Sequence, residues 1–146
     1  IPGHLLELEI TETAAMTDPE GTIPTLEALR ELGVAIAIDD FGTGYSSFNY
    51  LERLPVDSLK IDRTFIAGIR EEASQRGVVP TILALTRELG LGCVAEGVET
   101  RTQEAALQHL GCLAVQGFRY APALSAEELE ALLGTDRWYA RPAKSS

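Results

Sequence analysis

Ten polar side chains at the ends of apolar runs could carry chemistry in this 146-residue chain. They are Glu7, Glu9 and Glu12 in LELEITET, the adjacent Asp39 and Asp40 in AIDDFGTGYSS, Lys60 and Asp62 in SLKID, Glu96 and Glu99 in VAEGVET and Gln116 in AVQGF. Apart from the ammonium, their donor atoms are carboxylate and amide oxygens. Hard oxygen donors of this kind select Mg²⁺ or Mn²⁺ over zinc, and there is no Cys/His cluster to favour zinc. His4 and His109 stand apart and read as structural or solvent-exposed. Taken singly, each residue has a plainer reading. An acid after a strand usually caps a helix or sits in a solvated loop, Lys60 between Leu59 and Ile61 would snorkel to water, and Gln116 before Gly117 would be a turn residue. Taken together they need a common cause, because consecutive strands would have to deliver charge or amide to the same rim.

The elements that must position them are short apolar runs alternating with segments of helical period, the pattern of βα units on a parallel sheet. Strands are expected at Leu5–Ile10, Val34–Asp39, Ser58–Ile61, Gly92–Ala95 and Leu113–Gln116. Between the first two, Ile23, Leu26, Leu29 and Leu32 recur at helical spacing before Gly33. Further helices are expected at Ser46–Leu54, stopped by Pro55, at Arg63–Glu72 and at Val79–Leu89. Thr100 with Gln103, and Ser125 with Glu128, have capping-box spacing. Residues 140–146 read as a frayed tail after a single unit over 1–139. In the first strand Glu7 and Glu9 share a face, and Leu6, Leu8 and Ile10 take the other. Two carboxylates on a barrel-lining face are costly unless cations sit there. Such units could form an open doubly wound sheet or part of a (β/α)8 barrel; a whole barrel takes about 250 residues, so this chain would hold little more than half of one. The abrupt start at Ile1 reads as a piece cut from a longer chain.

A formal charge of −10 argues against a groove for a nucleic-acid polymer, which needs a basic face. An anionic substrate would therefore need metal ions as intermediaries. Cys93 and Cys112 lack metal-ligand spacing and read as small core residues of a reducing compartment. No apolar run approaches the roughly 20 residues that span a bilayer, so a cytoplasmic location is expected, with membrane attachment only through an upstream segment.

The stretches LELEITET, DDFGTGYSS, LPVDSLKIDRTFI, VAEGVET and GCLAVQGF, in this order and spacing, resemble the second half of an EAL domain, the bacterial phosphodiesterase that hydrolyses cyclic di-GMP to linear pGpG. The resemblance covers about Leu5 to Leu133. It implies an α/β fold that is a partial (β/α)8 TIM-like barrel of about five βα units, a cyclic di-GMP substrate, and two divalent cations, Mg²⁺ or Mn²⁺. It also implies that Glu9, Asp39, Glu96 and Gln116 bind metal with Asp39 bridging, and that Asp40 serves the second metal. Lys60 would help position or activate the attacking water, and Glu12 would steady the loop after the paired aspartates. Glu99 corresponds to a further acid implicated in function. For Asp40 to face the metals beside Asp39 the backbone must bend, which Gly42 and Gly44 permit; otherwise Asp40 would only cap the following helix. The Thr43–Ser47 loop is then placed to report substrate or a partner subunit. The family's signature glutamate and its metal-binding asparagine belong to strands upstream, so this chain alone is expected to bind metal poorly and to show little activity. Its exposed strand edges predict a homodimer. A non-catalytic EAL module acting as a cyclic di-GMP receptor or protein-interaction domain is the competing function. An enolase-type barrel would use similar acids but gives no account of DDFGTGYSS.

Overall fold

The computed structural model describes residues 1–44, 48–69 and 77–134. Five parallel strands, β1 (Glu7–Thr11), β2 (Ala35–Phe41), β3 (Ser58–Ile61), β4 (Gly92–Ala95) and β5 (Ala114–Val115), lie side by side in chain order. A doubly wound sheet reverses its strand order at a switch point. The strictly consecutive order here is that of a barrel wall. The helices are α1 (Glu12–Thr17), α2 (Pro19–Glu31), α3 (Phe48–Leu51), α4 (Arg63–Ala67), α5 (Val78–Leu89), α6 (Arg101–His109) and α7 (Ala126–Leu133).

Local signals explain most boundaries. Asp18 accepts a hydrogen bond from the Gly21 N–H at the head of α2, with Pro19 in the first turn, and Gly33 follows its end at φ 82°. Gly90 closes α5 in the left-handed conformation at φ 68°. Both expected capping boxes form, at Thr100–Gln103 and Ser125–Glu128.

Some expected limits change. The first strand runs Glu7–Thr11, not Leu5–Ile10, because a 3₁₀ turn occupies Gly3–Leu5. The fifth shrinks to Ala114–Val115, and the second extends to Phe41. α4 stops at Ala67 with Gly68 as its C-cap, shorter than the expected Arg63–Glu72; residues 70–72 lie outside the described residues. Parts of the expected Ser46–Leu54 helix and of the Thr43–Ser47 loop also lie outside them, as does the expected tail at 140–146. α1 has no counterpart in the sequence reading: the Thr11 side chain accepts from the Ala14 N–H and starts a helix too short to show a period.

The core lies between the sheet and its helices. Ile36 and Ile38 of β2 and Leu59 and Ile61 of β3 are essentially inaccessible and pack with Leu51, Ile66, Ile82, Leu83 and Leu107. Each such side chain contributes about 1.5–3 kcal/mol by burial. The opposite sheet face is selected differently. Parallel register aligns Glu9 with Ala37, Ala37 with Ser58, Lys60 with Val94 and Val94 with Ala114. With a side-chain period of two, Glu9, Asp39, Lys60, Glu96 and Gln116 therefore face one side. Glu7 and Glu9 share that side, while Leu8 and Ile10 align with Ile36 and Ile38 on the other. Among the described residues β1 and β5 each have a single strand neighbour, and no helix is long and apolar enough to cross a membrane.

Candidate metal centre

Lys60 is the hub of the inner face, with its side chain only 7 % exposed. Its Nζ lies 2.7 Å from Glu9 Oε1, 2.6 Å from Glu96 Oε1 and 3.4 Å from Asp39 Oδ1. Burial alone would lower its pKa, but hydrogen bonds to Glu9 and Glu96 and the charge of Asp39 outweigh that and hold the ammonium well above the usual lysine range. The residue does not snorkel; it balances three carboxylates. Gln116 Nε2 also donates to Glu96 Oε1 at 2.6 Å. Three adjacent strands and the segments that follow β4 and β5 thus meet at one point.

The aspartate pair is turned by an irregularity in β2. Ile38 aligns with Leu59 but Phe41 aligns with Ile61, so β2 carries one extra residue between those pairs. Within that bulge Asp40 has φ 55°, the left-handed region that Asp tolerates better than most residues. The bend expected from Gly42 and Gly44 therefore begins at Asp40 itself, and Gly42 at φ 97° continues it. In consequence Asp39, Asp40 and Glu96 each offer a carboxylate oxygen within 4.8 Å of the others.

This donor set fits a hard divalent cation. Asp39 Oδ1 is buried and has no hydrogen-bond partner among the described residues, since Lys60 attracts it at 3.4 Å without the alignment of a hydrogen bond. An inaccessible carboxylate oxygen without a donor is costly unless a cation takes its lone pairs. Asp40 is raised above the usual aspartate range by desolvation and by the negative charges of Asp39 and Asp62. A cation would relieve that repulsion.

Glu12 is nearly inaccessible, and its Oε2 accepts from the Gly42 N–H at 2.9 Å and the Gly44 N–H at 3.3 Å. It thereby ties the loop after the aspartates to the start of α1. A Cβ on Gly44 would lie 2.8 Å from Glu12 Oε1, so a larger residue there would displace this contact. Glu99 is exposed, and its backbone N–H donates to Gln103 Oε1 at 2.8 Å. None of the described contacts brings its carboxylate into the cluster.

Asp62 is a residue the sequence reading noted without giving it a site role. It accepts from the Thr64 hydroxyl and from the Thr64 N–H at 2.9 Å, which hold its pKa below the usual range, and it lies within hydrogen-bonding reach of Asp40. The available signal was parity: in SLKID, Lys60 and Asp62 stand two apart and share a face. Conversely, the tripeptide Glu-Ala-Leu occurs at Glu27–Leu29 and Glu130–Leu132, but inside α2 and α7 and not at a strand end. Cys93 and Cys112 are free thiols on the β4 and β5 side of the core.

The family model for the EAL domain matches residues 1–123. The cyclic di-GMP phosphodiesterase NbdA of Pseudomonas aeruginosa is 49% identical over 137 residues, covering 94% of this chain and 18% of NbdA. The bifunctional diguanylate cyclase/cyclic di-GMP phosphodiesterase MucR of the same organism is 49% identical over 128 residues, covering 88% of this chain and 18% of MucR. A solved structure of the MucR phosphodiesterase with cyclic di-GMP superposes with a TM-score of 0.81 at 48% identity, over 88% of this chain and 52% of that one. Klebsiella pneumoniae BlrP1, solved with manganese and cyclic di-GMP, gives a TM-score of 0.74 at 33% identity, over 84% of this chain and 31% of that one. The chain thus spans less than a fifth of the length of these two Pseudomonas relatives and about half of the solved MucR chain.

Proposed function

The chain belongs to the EAL domain family, and from that premise we propose that it is the C-terminal portion of the EAL domain of a phosphodiesterase that hydrolyses cyclic di-GMP to linear pGpG. The observation that carries the reading is the convergence of Glu9, Asp39 and Glu96 on buried Lys60, with Asp40 turned into the same cluster. NbdA and MucR are named for this activity, and BlrP1 was solved with manganese and the same nucleotide.

In this reading Glu9, Asp39, Asp40, Glu96 and Gln116 would hold two divalent cations, Mg²⁺ or Mn²⁺. Two such cations, when bound, supply an activated water and stabilise the charge that develops as it attacks phosphorus in line. The chain's own residues arrange that site. Lys60 orients Glu9, Asp39 and Glu96 and presents a fixed positive charge toward the water and the phosphate. Gln116 fixes one oxygen of Glu96. Glu12 holds the loop after Asp40, and Glu99, outside the cluster, is the further acid that the family resemblance implicates.

In the family, the signature glutamate and the metal-binding asparagine belong to strands that precede the counterpart of β1. A complete EAL domain containing this chain is therefore expected to form pGpG with Mg²⁺ or Mn²⁺, and the 146-residue chain alone at least about 100-fold more slowly, since affinity follows ligand number and charge. Product analysis by chromatography tests this; turnover by the isolated chain equal to that of the complete domain would overturn it.

Two copies of the isolated chain are further proposed to associate through their open edges. Leu6 and Leu8 on the β1 side are exposed, as are Leu113 (94 %) and Phe118 (73 %) on the β5 side. Light scattering should return twice the monomer mass, and a monomer at high concentration would rule this out.

A further inference from the structure

Resting on that reading, we propose that Gln103 is a positioning residue for Glu96, locking the segment from Glu96 to Thr100 against α4. Its side chain is almost fully buried, and its amide makes three hydrogen bonds. Oε1 accepts from the N–H groups of Glu99 at 2.8 Å and Thr100 at 3.0 Å, and Nε2 donates to the Ile66 carbonyl at 3.2 Å. A capping box requires only the bond to the Thr100 N–H. The other two reach outside α6: one into the segment that carries Glu96, the other into the last turn of α4.

α4 begins just after Lys60 and is capped by Asp62, so one buried amide joins the segments that follow β3 and β4. The same segment is fitted closely on its other sides. A Cβ on Gly97 would lie 2.5 Å from the Arg63 Cβ, and one on Gly117 would lie 2.3 Å from the Val98 nitrogen. The Val98 N–H donates to the Gln116 carbonyl at 3.0 Å, and the Glu96 N–H to the Ile61 carbonyl at 3.1 Å. Backbone contacts thus fix where the segment starts. Gln103 is the side chain that fixes where it ends, and so the direction in which Glu96 leaves β4.

The substitution Gln103→Glu separates the two duties. Glutamate at this position keeps an acceptor for the Glu99 and Thr100 N–H groups, as in an ordinary capping box. It has no hydrogen to donate and sets a carboxylate oxygen against the Ile66 carbonyl. Its added negative charge would by itself tighten cation binding, so weaker binding cannot come from charge.

In the complete EAL domain, Gln103→Glu is expected to raise the Mn²⁺ dissociation constant, read by electron paramagnetic resonance, about tenfold, the scale found when partners of metal ligands are removed. The melting temperature should fall as well, because a buried carboxylate then faces a carbonyl, and Mn²⁺ binding is therefore read on the folded domain well below its midpoint. Thr100→Ala removes the hydroxyl that accepts from the Gln103 N–H but leaves the amide's three bonds. It should lower the melting temperature by a few degrees and leave Mn²⁺ binding within about twofold. The proposal is overturned if Gln103→Glu binds Mn²⁺ as the wild type does, or if both variants lose affinity in proportion to stability. A wild-type domain that binds no Mn²⁺ would overturn the phosphodiesterase reading and this inference with it.

Discussion

Replacing Lys60 by Met should lower the melting temperature of the metal-free chain by roughly 10 °C, and added Mn²⁺ should restore part of the loss. Removing one partner of a buried charge cluster costs about 3–5 kcal/mol, because the remaining charges are left uncompensated. The Glu9 side chain is 45 % exposed and Asp39 25 %, so water offsets part of that and about 2–3 kcal/mol remains. For a chain of this size each kcal/mol moves the midpoint by a few degrees. The pH dependence follows from sign. The lysine pKa is raised in the folded state, so its stabilisation is fully present below the ordinary value of 10.5 and is lost only as pH rises through the folded value. The difference between wild type and Lys60→Met should therefore stay flat between about pH 6 and 9. A lysine that merely snorkelled would leave the midpoint unchanged on substitution, and thermal scans in EDTA and in Mn²⁺ separate the two cases.

Replacing Asp39 by Asn should do the opposite to stability and far more to activity. Asn keeps the shape of the side chain but removes a negative charge, so a proposed ligand of the cations is lost. Turnover of cyclic di-GMP by the complete domain should fall at least about 10³-fold, which corresponds to roughly 4 kcal/mol of transition-state stabilisation. The fold should be unharmed or slightly more stable. The carboxylates around Asp39 repel one another, and its buried Oδ1 has no hydrogen-bond partner among the described residues. Steady-state rates at saturating Mn²⁺, set beside thermal midpoints, check both halves; turnover within tenfold of wild type would show that Asp39 does not hold a metal.

The alternation that puts Glu9, Lys60, Glu96 and Gln116 on one face is written in the sequence, because a strand buried on one side has only two ways to place each residue. β3 and β4 take the expected limits for the same reason: a glycine or polar residue and an acid bound each apolar run. The turn at Asp40 was not legible. A bulge depends on how β2 pairs with β3, and a left-handed Asp looks like any other aspartate in a string. The sequence pointed to Gly42 and Gly44, which allow the bend, and not to the residue that makes it. α1 was hidden because a helix that short has no period to detect. Gln103 was legible as a cap, since Thr100 lies three residues away, but its bond to Ile66 joins positions 37 apart. No local pattern encodes a contact of that range.

The most direct test of the account is whether the aspartate pair binds a divalent cation. Mn²⁺ titrated into the 146-residue chain, and followed by the electron paramagnetic resonance signal of the free ion, should be taken up with a dissociation constant on the order of 10⁻³ M, weak because the ligand set is incomplete. Asp39→Asn and Asp40→Asn should each abolish that uptake while remaining folded. Equal uptake by all three chains would mean that their acidic surface binds the ion indifferently, and that the convergence on Lys60 is not a metal centre.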